Sequence, residues 1–123
     1  MKMTQDYGAG SHLITGYEVG MVRVNETAYH ASLIVTPERL DVHWQPQRFE
    51  DLDLACFQSL LDNPSEVVIL GTGARLRFPP RDIALAFRSR GIGFEVMDTG
   101  AACRTYNILM TEGRPVAAAL LMI

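Results

Sequence analysis

The sequence has few cysteines and no long apolar run, and each shortage excludes a class of protein. Its 123 residues contain two cysteines, Cys56 and Cys103, which form no CxxC pair and are too few to staple a domain of this size. The longest apolar run, VAAALLMI, has eight residues, whereas a membrane-spanning helix needs roughly 20. The amino terminus has neither the apolar core of a signal peptide nor an arginine-rich amphipathic stretch. We therefore expect a cytoplasmic protein that is not embedded in a membrane.

Metal-ligand patterns are also missing. No HxxxH, HExxH or Cys/His cluster occurs, and the three histidines all lie in the N-terminal part of the chain. We therefore expect no metal and no cofactor. What is present, 48% hydrophobic and 20% charged residues, is the composition of an ordinary globular protein. At this length it predicts a single domain over residues 1–123.

Basic charge is carried almost entirely by arginine and is distributed unevenly. Lys2 is the only lysine among 11 basic residues. Residues 1–70 carry four basic and ten acidic side chains, a net charge of −6, and residues 71–123 carry seven and four, a net charge of +3. A pI of about 5.5 argues against general nucleic-acid binding. Two interpretations remain: the arginines bind a carboxylate or phosphate outside the chain, or the two halves neutralise each other.

The hydrophobic period changes once along the chain. From Val19 to Trp44 it is extended, and VGMVRVN, AYHASLIVT and ERLDVHW predict antiparallel strands. Beyond this region helices and strands alternate. The predicted helices cover residues 51–62, 80–90 and 99–111, with Asp51 and Thr99 as N-caps, and the predicted strands cover 66–70, 94–97 and 116–123. This order predicts a three-layer α/β domain with a mixed sheet, parallel in its C-terminal part and flanked or extended by the N-terminal antiparallel strands.

Two segments follow neighbouring predicted strands at their carboxyl ends, where ligands bind in open α/β sheets. GTGARLRFPPRD and MDTGAACRTYN are therefore expected to line one crevice. Its polar and reactive residues would be Arg75, Arg77, Arg81, Asp98, Thr99, Cys103, Arg104, Tyr106 and Asn107. A dinucleotide fingerprint is not supported, because Leu76 occupies the third glycine position and Pro79-Pro80 delays the helix. A P-loop is excluded because no GK[ST] follows the glycines.

The glycine turn allows two interpretations. Backbone N–H groups of Gly71 to Gly73, together with Arg75, would hold a carboxylate or phosphate. Alternatively, the glycines turn the chain and the arginines pair with Asp82, Asp98 or helix C-termini.

Cys103 also allows two interpretations. In the first turn of a helix beside Arg104 it would be an activated nucleophile. As a small buried side chain it would be inert. Tyr106 is expected to be half in the core with its hydroxyl on a polar partner, and Asn107 to have a packing or hydrogen-bonding role.

The motifs GTGARLRFPP and GIGFEVMDTGAACRTYNILMTEGRPVAAALL resemble a family of small domains of unknown function. This family includes mitochondrial complex I assembly factor 3 and the adipogenesis-associated Mth-type domain protein. The resemblance covers roughly Leu70 to the C-terminus. It implies a three-layer α/β domain, no established enzymatic activity and a protein-interaction or assembly role. Carried over by position, the signature residues are Gly71, Thr72, Gly73, Phe78, Pro79, Pro80, Asp98, Thr99, Cys103, Arg104, Tyr106 and Asn107.

These observations favour a non-catalytic module that binds a protein partner through the loops at the strand ends. The alternative is a small-molecule or anion-binding protein, or a weak enzyme, that uses the Gly71–Gly73 turn, Arg75 and Cys103. A third possibility is a homo-oligomer formed through the apolar final strand, if that strand is an exposed edge.

Overall fold

The structure is a computed structural model that describes residues 11–123. It confirms the predicted α/β class with antiparallel N-terminal strands. The elements of the described residues, in chain order, are β1 (Ile14–Glu18), β2 (Met21–Val24), β3 (Thr27–Tyr29), β4 (Leu33–Val35), β5 (Leu40–Asp41), α1 (Gln58–Asp62), β6 (Val67–Gly71), α2 (Arg81–Arg88), β7 (Gly93–Met97), α3 (Thr99–Thr111) and β8 (Val116–Leu120).

The strands form two sheets. β1, β2 and β3 make an antiparallel sheet of three strands, and the other five are ordered β5-β4-β8-β6-β7. In the larger sheet β6 pairs in parallel with both β7 and β8, whereas β4 pairs antiparallel with β8 and β5. The N-terminal strands therefore do both things that the sequence left open: two extend the sheet and three flank it.

The larger sheet is buried on both faces, which explains why β6 is a continuous apolar run. Val68 and Leu70 pack on one face with residues of α1 and α2 and with Phe57, which ends the 3-10 turn before α1. Val67 and Ile69 pack on the other face with α3 and with apolar residues of β1 and β2. The layers are thus α1 and α2, the five-stranded sheet, and α3 with the small sheet.

The predicted helix over residues 51–62 is wrong in its first two turns. Phe49–Asp51 and Leu54–Phe57 are separate 3-10 turns, and only Gln58–Asp62 is α-helical. Leu52 between them is extended, and the Asp53 carboxylate accepts a hydrogen bond from the N–H of Cys56 at 3.0 Å. An aspartate that caps the backbone in this way begins a new turn. Asp51 is therefore not the N-cap of a continuous helix.

The N-cap of α3 and the length of the strand in ERLDVHW also differ from the prediction, α2 is shorter than predicted at both ends, and β8 ends at Leu120 instead of Ile123. The N-cap of α3 is Asp98, whose carboxylate accepts from the N–H of Ala101 at 2.9 Å, and Thr99 is the first helical residue. Within the run ERLDVHW only Leu40–Asp41 is a strand. Trp44 lies outside it, and its Nε1 donates to the carbonyl of Cys56 at 2.8 Å. The alternation of apolar and polar residues therefore predicted a longer strand than the structure has.

The apolar final strand is not an edge. β8 lies between β4 and β6, and all five of its residues are buried. The predicted route to a homo-oligomer through this strand is therefore closed. None of the helices within residues 11–123 is long and apolar enough to cross a membrane.

Candidate functional site

Thr99 joins the two loops that the sequence placed at the carboxyl end of the sheet. Its hydroxyl accepts from the N–H of Gly73 at 2.8 Å and donates to the carbonyl of Leu121 at 2.7 Å, and its own N–H donates to the carbonyl of Gly73 at 2.9 Å. Gly73 has a φ of +102°, and a Cβ on Gly71 would lie 2.9 Å from the Thr99 hydroxyl. Glycine is required at both positions, by the left-handed backbone at Gly73 and by close packing at Gly71.

Thr72 fixes the next part of this loop. Its N–H donates to the carbonyl of Met97 at 2.9 Å, and its hydroxyl donates to the carbonyl of Arg75 at 2.7 Å while accepting from the N–H of Arg77 at 3.2 Å. The N–H groups of Thr72 and Gly73 are therefore both bonded within the protein. Neither is left to bind an anion, so an anion site here would depend on Arg75 instead.

The segment that follows presents its side chains outward. Leu76 is 49% exposed and Phe78 is 74% exposed. Arg77 is held by Glu50 at 3.0 Å and lies over the Phe49 ring at 4.1 Å from its centroid. Arg75 has no ion pair among the described residues. The loop thus combines a fixed backbone with exposed apolar and cationic side chains.

The prolines end this loop at the start of a helix. Pro80 is the N-cap residue of α2, with a φ of −52° and a ψ of 143°, and Pro79 before it is half-buried. The helix does not begin earlier because each proline disfavours helical geometry in the residue before it, which is Phe78 for Pro79 and Pro79 for Pro80.

Cys103 is buried within α3, at the face that packs on the larger sheet. Burial raises the pKa of its thiol to about 12, with Asp98 adding to the rise and Arg104 opposing it. The thiol is consequently protonated at neutral pH, so the interpretation of Cys103 as an activated nucleophile is wrong. The positive charge of Arg104 lowers the pKa of Cys103 by less than the loss of solvation raises it.

Tyr106 and Asn107 attach the small sheet to α3. The buried Tyr106 hydroxyl donates to the carbonyl of His12 at 2.7 Å. The Asn107 carboxamide accepts from the N–H of Ile14 at 3.0 Å and donates to its carbonyl at 2.7 Å. Burial raises the pKa of Tyr106 above its usual range. Both side chains therefore have their polar atoms engaged in holding β1.

Arg104 lies on the exposed side of α3. Its guanidinium donates to the hydroxyl of Tyr17 in β1 and lies 5.9 Å from the centre of that ring. The hairpin tip beside it carries Val19, which is 82% exposed, and Gly20 of the same tip donates to the carbonyl of Ile123, beyond the end of β8. The tip is thus at the same end of the sheet as the glycine loop. We call Val19, Arg75, Leu76, Phe78 and Arg104 the loop face.

A cleft of about 450 Å³ lies at the other end of the sheet, where β8 begins. Arg39 and Asn63 line it, and the guanidinium of Arg39 donates to the Asn63 carboxamide at 2.8 Å. None of the residues predicted from the sequence lies in its lining. No set of three or more His, Cys, Asp or Glu side chains arranged to hold a metal ion occurs anywhere in residues 11–123.

A family model described as "Protein of unknown function (DUF498/DUF598)" matches residues 14–121. The chain belongs to this family. The resemblance noted in the C-terminal half is therefore confirmed, and the family extends over the N-terminal strands as well. A bovine member, named NADH dehydrogenase (ubiquinone) 1 alpha subcomplex assembly factor 3, is 38% identical over 82 residues. This match covers 65% of the present chain but only 45% of the bovine protein.

Solved structures that are similar to this chain have the same fold. A crystal structure from Bordetella parapertussis is 34% identical with a TM-score of 0.87, and covers 94% of this chain and 98% of that one. A solution structure from Bordetella pertussis, described as a Mth938-like domain, is 30% identical with a TM-score of 0.82, and covers 99% and 92% of the two chains.

The signature residues of this DUF498/DUF598 chain divide into two groups by environment. Those with buried or internally bonded side chains or close-packed backbone are Gly71, Thr72, Gly73, Asp98, Thr99, Cys103, Tyr106 and Asn107. Those toward solvent are Phe78 and Pro80, which are exposed, Pro79, which is half-buried, and Arg104, which is exposed although it bonds to Tyr17. Sequence reasoning missed Tyr17 and Val19, because nothing in the sequence relates the hairpin tip to α3. It also gave no role to Leu76, although the alternation Arg-Leu-Arg-Phe placed an apolar residue between cations.

Proposed function

We propose that this chain is a non-catalytic, assembly-factor-like module that binds a protein partner through the loop face. One observation carries the proposal: Leu76 and Phe78 are exposed on a loop whose backbone is fixed by Thr72 and Thr99. Exposed apolar side chains on a fixed backbone lose little conformational freedom on binding. Arg75 beside them supplies a cation suited to a carboxylate on the partner.

The chemistry of the signature residues supports a binding role over a catalytic one. The thiol of Cys103 is buried and protonated, and the hydroxyl of Thr99 is bonded on both sides. Nucleophilic catalysis needs an accessible, activated group with a base beside it. The internally bonded signature residues therefore form a frame that presents the loop face. This frame consists of Thr72, Thr99, Tyr106 and Asn107 with the segments that they join.

The name of the bovine relative supports the assembly part of the proposal. That protein is named as an assembly factor of NADH dehydrogenase, and we propose the same class of role, binding proteins during assembly, for this chain. Its place of action in our proposal is the cytoplasm. The identity of the bovine protein's target is not transferred, because the match spans 45% of its length.

The proposal is tested by recovery of partner proteins on the immobilised full chain, compared among charge variants by quantitative mass spectrometry. Arg75→Glu and Arg104→Glu should each reduce recovery of the same protein. Arg114→Glu is the matched control, since Arg114 is paired with Glu66 near the opposite end of the sheet. Equal recovery by the parent, Arg75→Glu and Arg104→Glu would remove the loop face from the interface.

The same variants separate binding of a protein from binding of an anion. Inorganic phosphate that binds the folded chain raises its melting temperature, by an amount equivalent to about 2.7 kcal/mol at 100 times the dissociation constant. Our proposal expects no such rise. A rise that Arg75→Glu abolishes would favour the anion-binding alternative.

A further inference from the structure

The edge of the larger sheet at β7 has main-chain groups directed away from the sheet. Among the strands of residues 11–123, β7 pairs with β6 only. The N–H of Gly93 and the C=O of Met97 bond toward the β6 side, at 3.0 and 2.9 Å. Because successive residues of a parallel strand direct these groups to opposite sides, the N–H and C=O groups of Phe94 and Val96 point outward. Such an edge is a template for another strand.

A groove of about 330 Å³ runs beside this edge, between β7 and α2. One stripe of α2 forms its wall, with side chains at positions i, i+3, i+4 and i+7: Arg81, Ala84, Leu85 and Arg88. Leu85 is 57% exposed, although the opposite stripe of the same helix buries Ile83 and Phe87 in the core. Phe78 of the loop face also lines the groove. The groove is therefore a continuation of the loop face along the sheet edge.

The charge of this groove is positive. Arg81 and Arg88 line it and have no ion pair among the described residues. Glu95 is the acidic residue of its lining, and strand alternation places that side chain on the face of the sheet that also carries Met97, which packs with the α3 cluster. The surface thus combines two unpaired cations, apolar side chains and free main-chain groups.

We propose that the β7 edge and this groove bind an extended, acidic segment of the partner protein, which adds a strand to β7. The inference rests on the proposed function, whose partner it describes. Arg81 and Arg88 are seven residues apart on a helix, a separation of about 10 Å, and residues four apart on a strand are separated by about 13 Å. The segment therefore has two acidic residues four positions apart with an apolar residue midway, all on the α2 side.

A second copy of this chain is a poorer occupant. Antiparallel pairing of two β7 edges around a two-fold axis would place the two α2 helices side by side, with Arg81 of each near Arg88 of the other. It would also bring the two Glu95 side chains together across the strands. Like charges directly opposite each other destabilise a sheet. Charge complementarity consequently favours an acidic segment from another protein.

The test uses the full chain labelled with ¹⁵N and the peptide Thr-Glu-Thr-Val-Thr-Glu-Thr, with both ends blocked. The control peptide has lysine in place of each glutamate. We expect the acidic peptide to shift the amide resonances of Phe94 and Val96. At a peptide concentration ten times the dissociation constant, hydrogen exchange at these two amides should slow about tenfold. The lysine peptide should do neither.

Two variants test the main-chain and the charge contributions separately. Val96→Pro removes an outward N–H while leaving the bonds to β6, which is the position at which an edge strand tolerates proline. It should abolish peptide binding. Arg88→Glu should weaken binding about fivefold or more, whereas Arg114→Glu should not change it. If Val96→Pro does not fold, Arg88→Glu and the exchange of Phe94 in the parent decide the matter.

The outcomes distinguish this inference from the proposed function. Absence of acidic-peptide binding at millimolar concentration, equal binding of the lysine peptide, or unprotected Phe94 and Val96 amides would each overturn the strand addition. Partner recovery that needs Arg75 but not Arg88 or Val96 would overturn it and leave the proposed function standing. A concentration-dependent dimer that Val96→Pro dissociates would instead identify a second copy as the occupant. If the peptide binds but Arg75→Glu and Arg104→Glu do not reduce partner recovery, the strand addition stands. Only the role of the loop face in partner binding would then be overturned.

Discussion

At the scale of single residues, the polar signature side chains act mainly as connectors. Thr99 is the clearest case, because its one hydroxyl satisfies a buried N–H and a buried carbonyl from two different segments, at Gly73 and Leu121. Buried backbone groups need such partners, since each one left unpaired costs free energy. The same side chain occupies the space that a Cβ on Gly71 would need.

Thr99→Val should therefore destabilise the chain strongly. Valine has almost the same shape but leaves the Gly73 N–H and the Leu121 carbonyl without partners, and we expect the free energy of unfolding to fall by about 2–4 kcal/mol. Urea unfolding measures this change. Thr105→Val is the matched control on the same helix, because the Thr105 side chain is half-buried and makes no such pair of bonds within residues 11–123. A loss equal to that of the control would contradict the connector role.

Cys103 should make stability depend on pH in the alkaline range. Its pKa is about 12 in the folded chain and about 9.0 in the unfolded chain, so the folded state holds the proton more tightly. This contribution is complete below about pH 9 and is lost as the pH rises toward 12, by about 2 kcal/mol at roughly pH 10.5. Cys103→Ala should reduce the decline measured by urea unfolding between these pH values. Parallel declines in the parent and the variant would show that the thiol does not contribute.

At the scale of elements, α3 is the support of the small sheet. Tyr106 and Asn107 bond to backbone atoms of His12 and Ile14, and the apolar residues of β1 and β2 pack in the same cluster as α3. The larger sheet has its own parallel ladder around β6, in which neither Tyr106 nor Asn107 takes part. The two sheets should therefore differ in local stability.

Asn107→Ala should loosen the small sheet selectively. The variant removes both hydrogen bonds to Ile14, a cost of about 1–3 kcal/mol. Hydrogen exchange followed by mass spectrometry should become faster in β1 to β3 while that of β6 and β8 stays slow. Ile108→Ala is the control, since Ile108 is 57% exposed on the same helix. Uniform acceleration in both sheets would indicate that they open as one unit.

The sequence predicted those elements whose signal is local. The apolar runs of β6 and β8 and the cap-to-glycine span of α3 are set by their own residues. The two-sheet arrangement was not predictable, because one run, AYHASLIVT, supplies the last two residues of β3 to the small sheet and all of β4 to the larger one. Only packing against α3 and β8 decides that division. The helix over 51–62 failed for a local reason, since periodicity does not register a capping aspartate such as Asp53.

The candidate site was partly predictable on the same grounds. The order of strands and loops predicted that GTG and MDT lie at one end of the sheet, and in the structure Thr99 joins them. Which residues are exposed could not be read from the sequence, because Cys103 and Phe78 are both apolar side chains with opposite environments. Side-chain direction in a loop depends on backbone bonds such as those of Thr72, which no period describes.

At the scale of the whole molecule, the structure separates a frame from a surface. The internal bonds of Thr99, Tyr106 and Asn107 stabilise the frame, whereas exposed residues such as Arg75 and Phe78 contribute little to it. The charged side chains divide in the same way, into those paired within the chain and those left on its surface. Ion pairs such as Arg77–Glu50 and Arg114–Glu66 connect the positive and negative halves of the chain, but Arg75, Arg81 and Arg88 are left outside this pairing among the described residues.

Stability and partner binding should consequently respond to different substitutions. Phe78→Ser alters a side chain that is 74% exposed, so its urea midpoint should change by the equivalent of less than about 0.5 kcal/mol, while partner recovery should fall because an apolar contact is lost. Asn107→Ala should do the reverse at temperatures where it remains folded, with a lower midpoint and recovery close to that of the parent. Both quantities are measured on the same preparations of the full chain. If Phe78→Ser lost stability and recovery together, the exposed loop would be part of the frame, and the division between the two would be wrong.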